Sequence, residues 1–177
     1  MSHSPEATLL NGALAGVVAT VPMSMVMLIM HRLLPEYEQY PLPPHEITAE
    51  VAEKADMEEH LNEPEHTMAT TISHFAYGAV TGTLYVATAK NMFPNPAIGG
   101  AVFGLAVWAG SYLGLLPAMG ILSPATEHPL RRNALMIAAH LIWGSVTGML
   151  VDQLERRNGF HSASFPRCAS RLAWERG

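Results

Sequence analysis

Two histidines lie in apolar, otherwise uncharged stretches, and each opens the same short pattern. His74 begins His-x-x-aromatic-Gly-x-Val-Thr-Gly within "SHFAYGAVTGTLY" (73–85), and His140 begins it again within "AHLIWGSVTGMLV" (139–151). A histidine ring can exchange a proton near neutral pH, ligate haem iron, or hydrogen-bond to a backbone carbonyl. The pattern by itself leaves these three chemistries open.

Four runs without Asp, Glu, Lys or Arg carry these histidines and predict that the chain crosses a membrane. They cover residues 8–30, 67–89, 97–122 and 133–151. A helix of about 20 apolar residues crosses the hydrocarbon core of a bilayer. Within lipid the backbone must satisfy its own hydrogen bonds, so each run is expected to be an α-helix. The predicted fold is all-α, an integral membrane bundle of four helices.

The remaining sequence forms two polar parts, one within the predicted four-span membrane domain of residues 1–152 and one after it. An acidic extramembrane loop, 31–66, follows the first span, and "HEITAEVAEKADMEEHL" within it predicts a short helix at the membrane surface or against the bundle. A basic tail, 153–177, is expected to be disordered. The formal net charge of -5 gives no indication of nucleic-acid binding.

The matching histidine patterns belong to a longer internal repeat. Ahead of them, "NGALAGVV" (11–18) resembles "GGAVFGLA" (99–106), so the repeated unit is a pair of helices. Because two spans return the chain to its starting side, the two copies must have the same orientation. We therefore predict two parallel two-helix repeats, related by a pseudo-two-fold axis along the membrane normal.

Glycines four residues apart occur in every predicted span. Such a spacing places both glycines on one helix face, where another backbone can approach closely. We predict helix packing at these positions, with a further pair at Gly110 and Gly114. The predicted packing residues in the repeated units are Gly12, Gly16, Gly78, Gly82, Gly100, Gly104, Gly144 and Gly148.

His74 and His140 are the candidate functional residues. Each is the eighth residue of its run, counted from the same side of the membrane, so both are expected at similar depth and pointing into the bundle. An ionisable residue within a membrane is by default a functional hypothesis. The neutral alternative is a histidine that bonds to a carbonyl across a helix interface. Trp108, Tyr112 and Trp143 are too central in their spans to anchor at an interface and are expected inside the bundle.

The functional expectation is a multi-pass membrane protein, not an enzyme, that passes or senses protons or a small solute. One alternative is an assembly protein whose glycine faces bind partner helices, and another is an electron carrier with haem between His74 and His140. The sequence contains no Ser-His-Asp pattern, phosphate loop or His-Glu-x-x-His motif. We predict no catalytic residue, metal site or cofactor, with the lipid bilayer and either a second copy or another membrane protein as partners.

The acidic loop also suggests a family. "RLLPEYEQYPLPPHEIT" after the first span, followed by glycine-rich apolar helices, resembles the YagU-like small bacterial inner-membrane proteins. This resemblance implies a multi-pass protein of the bacterial inner (plasma) membrane and supplies no site residue. Six Lys and Arg residues lie on the side of the termini and four on the other side, so the termini are expected in the cytoplasm.

Overall fold

The computed structural model describes residues 5–39, 41–55 and 62–163, with side chains as far as Arg157. This part of the chain is helical and contains no strand, which confirms the predicted all-α class. The five helices are α1 (Pro5–Arg32), α2 (Pro43–Lys54), α3 (Glu63–Thr88), α4 (Pro96–Ala118) and α5 (Leu130–Ala163).

Local sequence signals set the ends of these helices. Asn62 accepts a hydrogen bond from the Glu65 N–H (3.1 Å), and the Glu65 carboxylate accepts one from the Asn62 N–H (3.0 Å), which forms a capping box at α3. Asn95 caps α4 in a similar way. The end of α4 differs from the predicted span end at residue 122. Gly120 has a left-handed backbone (φ 64°), and the Ile121 N–H closes the helix end on the Leu116 carbonyl.

The last helix is longer than its apolar run. α5 continues to Ala163, so the first residues of the predicted tail are helical, and residues 164–177 lie outside the described part of the chain. The end of the apolar run marks where charged side chains begin. It does not mark the end of the backbone helix, because Glu, Gln and Arg are good helix formers.

Three of the described helices are long and apolar enough to cross a membrane, namely α1, α4 and the part of α5 from Leu130 to Arg157. Their surfaces expose large apolar side chains such as Leu10 and Met25, each more than half exposed. An extensive exposed apolar surface of this kind is typical of contact with lipid. The chain therefore has the character of a membrane protein. α3 has 26 residues but is diluted by Thr, Ser and His.

α1 and α3 pack backbone against backbone at their glycines. A Cβ added to Gly16 would overlap the carbonyl of Gly78, and one added to Gly82 would overlap the carbonyl of Gly12. Only glycine fits at such positions without a shift of one helix. The contact is therefore set by the absence of side chains on both faces.

α4 and α5 make the same kind of contact. A Cβ on Gly100 would overlap the Gly144 carbonyl, one on Gly104 the His140 carbonyl, and one on Gly148 the Pro96 carbonyl. The alignment of the two repeats matches Gly100 with Gly12 and Gly144 with Gly78. In the structure, however, Gly78 contacts Gly16 whereas Gly144 contacts Gly100. The register of α4 against α5 therefore differs by one helical turn from that of α1 against α3. In contrast, nothing lies within 4 Å of a Cβ added to Gly110 or Gly114, so this further pair does not pack within the described chain.

The two helix pairs meet on one side only. α1 packs along α5, where the Trp143 indole N–H donates to the Gly16 carbonyl (3.2 Å) across a buried interface. α3 and α4, which the predicted two-fold axis would relate to α1 and α5, scarcely touch. They meet where Tyr85 packs edge-on against Phe103 (5.3 Å between ring centroids) and where the Tyr77 hydroxyl lies 2.8 Å from the Ser111 hydroxyl. The arrangement therefore leaves a gap between α3 and α4.

α2 packs against α3 and lies over the end of the bundle that is remote from the termini. Its Ile47 contacts the core, and its Glu46 pairs with Arg132, a buried residue of the first turn of α5. Just ahead of α2, Glu38 lies 3.5 Å from Arg131. The acidic loop is thus tied to the only two adjacent arginines on this side of the described chain.

The glycine contacts lead to a direct test with a matched control in the same helix. We expect Gly104→Ala to destabilise the protein by about 1–3 kcal/mol, because its Cβ would overlap a backbone carbonyl that cannot move alone. Gly110→Ala places the same methyl in open space and should be neutral or slightly stabilising through helix propensity. Thermal unfolding in detergent measures both variants, and equal midpoints would contradict the packing role.

Candidate functional site

A cavity of about 220 Å³ lies between α3 and α4, beneath α2. Residues from all five helices line it, and most of the wall is apolar, including Met23, Met27 and Met136. No Asp, Glu, Lys or Arg of the described residues lines the cavity. The lining side chains with hydrogen-bonding capacity that bear on its chemistry are Thr70, Ser73, His74, Tyr77, Ser111 and His140.

His140 projects into this cavity from α5 and is buried. Its Nδ1 lies 2.8 Å from the Met136 carbonyl oxygen, which can only accept, so Nδ1 carries the proton. In a neutral ring Nε2 is then a hydrogen-bond acceptor, and no described side chain donates to it. The ring stands edge-on to Tyr112, with 6.1 Å between the centroids. His140 is thus half satisfied by its own helix, with one nitrogen left for another partner.

His74 lines the opposite wall of the cavity, on α3, and is half-buried. Its only described ring contact is with Phe75 (6.3 Å between centroids), and neither nitrogen has a hydrogen bond within the described chain. The structure therefore brings the two sequence-predicted histidines to one cavity. They differ in environment, because His140 is held by a backbone carbonyl and His74 is not.

Thr70 adds a second unsatisfied group on the wall of α3. Its hydroxyl oxygen is buried and has no hydrogen-bond partner among the described residues, although neighbouring threonines bond back to their own helix. Thr70 and His74 are four residues apart, so they occupy the same face of α3. A buried polar group without a partner is costly, which makes this pair a place where a ligand or water would gain a hydrogen bond.

A π-helical turn shapes the α4 wall. Residues Gly110–Leu115 form it, and the Leu116 N–H donates to the Ser111 carbonyl, five residues back. Pro117 follows and has no N–H to continue the regular ladder, which favours an irregular turn here. The turn brings Ser111 and Tyr112 to the cavity, where the Ser111 hydroxyl lies 2.8 Å from the Tyr77 hydroxyl on α3. Such turns are frequent at functional sites.

The cavity reaches the molecular surface between α3 and α4. Tyr77 and Leu115 line it and are also 44% and 53% exposed, and Ser73 is exposed beside them. In the other direction the lining extends to Gly78 and Thr81, and Gly12, Gly82, Gly100 and Gly148 do not line the cavity. The cavity is consequently a side pocket that does not run through the bundle.

The cavity does not fit a porphyrin. Its volume is below the roughly 300–1,000 Å³ of pockets that hold drug-sized ligands. No group of three or more His, Cys, Asp and Glu side chains in the described residues is arranged for a metal ion. Apart from the presence of two histidines, nothing in the described cavity supports a bis-His haem site.

The family comparison covers this whole arrangement. A model described as a family of unknown function, DUF6789, matches residues 7–162, from α1 to the end of α5. The chain belongs to the DUF6789 family. No curated protein and no solved structure matches it. Membership in DUF6789 assigns no activity, and the resemblance to YagU-like proteins stays a prediction.

Sequence reasoning identified the two histidines and missed most of their surroundings. Thr70 and Ser111 carried no distinguishing signal, since Thr and Ser are frequent throughout these helices. α2 was expected at the surface or against the bundle, but nothing indicated that Ile47 would help to cover a cavity. The aromatic position of the repeated pattern was the one available clue, since Tyr77 and Trp143 both line the site.

Proposed function

We propose that this protein is a four-span membrane protein that binds a small uncharged solute in the cavity between α3 and α4. The observation that carries the proposal is the convergence of His74 and His140 on one cavity whose described lining contains no charged residue. Each histidine retains an unsatisfied ring nitrogen there. Ionisable groups at membrane depth are costly unless they face a bundle interior or cavity, and in such places they mark functional sites.

The hydrogen bonds of α3 support its role as the fourth span. Exposed threonine hydroxyls donate to the carbonyl four residues back, as in Thr67 to Glu63 (3.0 Å), Thr71 to Thr67 (2.9 Å) and Thr88 to Leu84 (2.7 Å). Such bonds satisfy the hydroxyl within the helix. These threonines lower the hydropathy of α3, but each can face lipid with its methyl group at a reduced free-energy cost because its hydroxyl is already hydrogen-bonded.

Matching contacts support the two-helix repeat. The Thr81 hydroxyl donates to the Tyr77 carbonyl (2.7 Å), and the Thr147 hydroxyl donates to the Trp143 carbonyl (2.8 Å). Both aromatic side chains then reach the first helix of the other pair, Tyr77 at Ser111 on α4 and Trp143 at Gly16 on α1. Duplication of one helix pair, followed by divergence where α3 faces α4, accounts both for the matching contacts and for the gap between α3 and α4.

We place both termini in the cytoplasm and the protein in a bacterial inner membrane. Arg131 and Arg132 lie on the side assigned to the outside, so they count against this orientation by the rule that Lys and Arg prefer the cytoplasmic side. Their ion pairs with Glu38 and Glu46 support it, because they account for two arginines on the outer side. A homo-oligomer remains part of the proposal, since four short helices enclose little space.

Binding or sensing is better supported than passage. The cavity lining extends no further than Gly78 and Thr81 toward the glycine contacts within the helix pairs, so the described residues show no route to the other side for a solute that enters from the α3–α4 gap. The assembly alternative finds less support, because the eight predicted packing glycines already pack against neighbouring helices within the chain. The haem alternative would require a larger space.

Extraction of the purified protein tests this function. We expect a molecule of below roughly 300 daltons to co-purify with the wild type, and Thr70→Leu to reduce its yield about tenfold by filling the cavity. Thr71→Leu is the matched control, because Thr71 is exposed on the same helix and does not line the cavity. Mass spectrometry of organic extracts gives the yields. Identical extracts from the wild type and Thr70→Leu would count against the proposed function.

The single cysteine, Cys168, allows the orientation to be tested without the introduction of a new cysteine. With the C-terminus in the cytoplasm, a membrane-impermeant maleimide should leave Cys168 unlabelled in intact cells and label it after permeabilisation. A Cys168→Ser variant gives the background signal. Full labelling in intact cells would reverse the proposed orientation.

A further inference from the structure

We propose that the solute is a neutral aromatic ring that bears a hydroxyl group and enters from the lipid phase between α3 and α4. This inference rests on the proposed function and names the chemical class that the cavity favours. It follows from the size of the cavity, its aromatic walls, its unsatisfied hydrogen-bonding groups, its lack of charge and the position of its mouth.

The volume selects a single ring. An engineered apolar cavity of about 150 Å³ binds benzene, so a space of about 220 Å³ accommodates a benzene ring with one or two small substituents. Three helices supply aromatic walls through Tyr77, Tyr112 and Trp143. Aromatic side chains pack against another ring in edge-to-face or offset-stacked geometry, in preference to a face-to-face sandwich.

The unsatisfied groups select a hydroxyl. Thr70 and His74 share a face of α3 and make no hydrogen bond through their side chains in the described chain. A neutral imidazole nitrogen accepts, and a threonine hydroxyl donates. A phenolic hydroxyl can donate to His74 while it accepts from Thr70, which satisfies both. A pure hydrocarbon would leave both groups unpaired.

The absence of charged side chains from the described lining selects a neutral ligand. Glu46 on α2 pairs with Arg132 on α5, and neither of them lines the cavity. A carboxylate or an ammonium group inside the cavity would have no counter-charge on the wall and would lose its hydration. The cavity therefore disfavours aromatic acids and amines relative to phenols.

The mouth indicates the route of entry. Tyr77, midway along α3, and Leu115, in the last turn of α4, flank it at the surface, on helices proposed to span the bilayer. A ligand that dissolves in lipid reaches this opening without passing through α2. The ring can arrive either as a free phenol or as the head group of a lipid whose tail stays outside the gap.

Fluorine NMR on the full chain in lipid nanodiscs tests the class, with empty nanodiscs as the control for partitioning. The probes are 4-fluorophenol, fluorobenzene and 4-fluorobenzoate. We expect 4-fluorophenol to bind saturably, fluorobenzene to bind roughly 25-fold more weakly because two hydrogen bonds worth about fivefold each are lost, and 4-fluorobenzoate not to bind. Thr70→Val and His74→Leu should each weaken 4-fluorophenol binding about fivefold because each removes one of these bonds, whereas Thr71→Val should leave it unchanged.

The outcomes separate this inference from the function on which it rests. Equal binding of fluorobenzene and 4-fluorophenol, or undiminished phenol binding by Thr70→Val, would overturn the hydroxyl class and leave a solute-binding cavity in place. Saturable binding of 4-fluorobenzoate would overturn the requirement for neutrality. No saturable binding of any probe, together with an empty organic extract, would overturn the proposed function itself.

A competition experiment separates the two sources of the ring. A hydroquinone with an isoprenoid tail and methylhydroquinone without one are compared as competitors of 4-fluorophenol at equal membrane concentrations. Stronger displacement by the tailed compound supports a lipid head group, and equal displacement supports a free phenol. Failure of both to displace 4-fluorophenol would contradict the class.

Discussion

Close contact between glycine backbones is the constraint on which the rest of this structure depends. At Gly16 with Gly78, and at Gly100 with Gly144, no Cβ fits between the helices. Helices in lipid gain little from hydrophobic burial against each other, so contacts of this closeness provide much of their attraction. They fix two tight helix pairs, and the way in which the pairs meet decides where space remains. α1 and α5 close one side, and α3 and α4 leave the cavity on the other.

The polar groups of the bundle fall into two classes that follow from this packing. Most hydroxyls within the helices bond to a carbonyl of their own helix, as Thr81 and Thr147 do, and need nothing more. The groups that line the cavity without a hydrogen-bond partner in the described chain include Thr70, His74 and one nitrogen of His140. They lie where α3 and α4 touch sparsely, through Tyr77 with Ser111 and Tyr85 with Phe103, and this open packing is the physical basis for the proposed binding site.

The sequence was informative wherever a local rule applies. Uncharged runs indicated the long helices, Gly-x-x-x-Gly spacing indicated the faces of Gly12, Gly16, Gly78 and Gly82 that meet, and the repeated pattern singled out both histidines. It was uninformative where several helices act together. The one-turn difference in register at Gly100, the π-helical turn that delivers Ser111, and the covering of the cavity by Ile47 depend on contacts between residues far apart in the chain. The open pair Gly110 and Gly114 shows the limit of the spacing rule, since the same pattern occurs there without a partner.

The central claim is that a buried cavity opens to the lipid phase between α3 and α4, and methionine methyl groups can report on it directly. Met27 and Met136 line the cavity but are each only 2% exposed, whereas Met25 is 57% exposed on the surface. Methyl NMR of methionine-labelled protein in nanodiscs under dissolved oxygen, which concentrates in lipid and in apolar cavities, measures their accessibility. An open cavity predicts measurable paramagnetic relaxation of Met27 and Met136, weaker than that of Met25 because they present less surface. Strong relaxation of Met25 with none at Met27 and Met136 would show that the space is closed and would contradict the account.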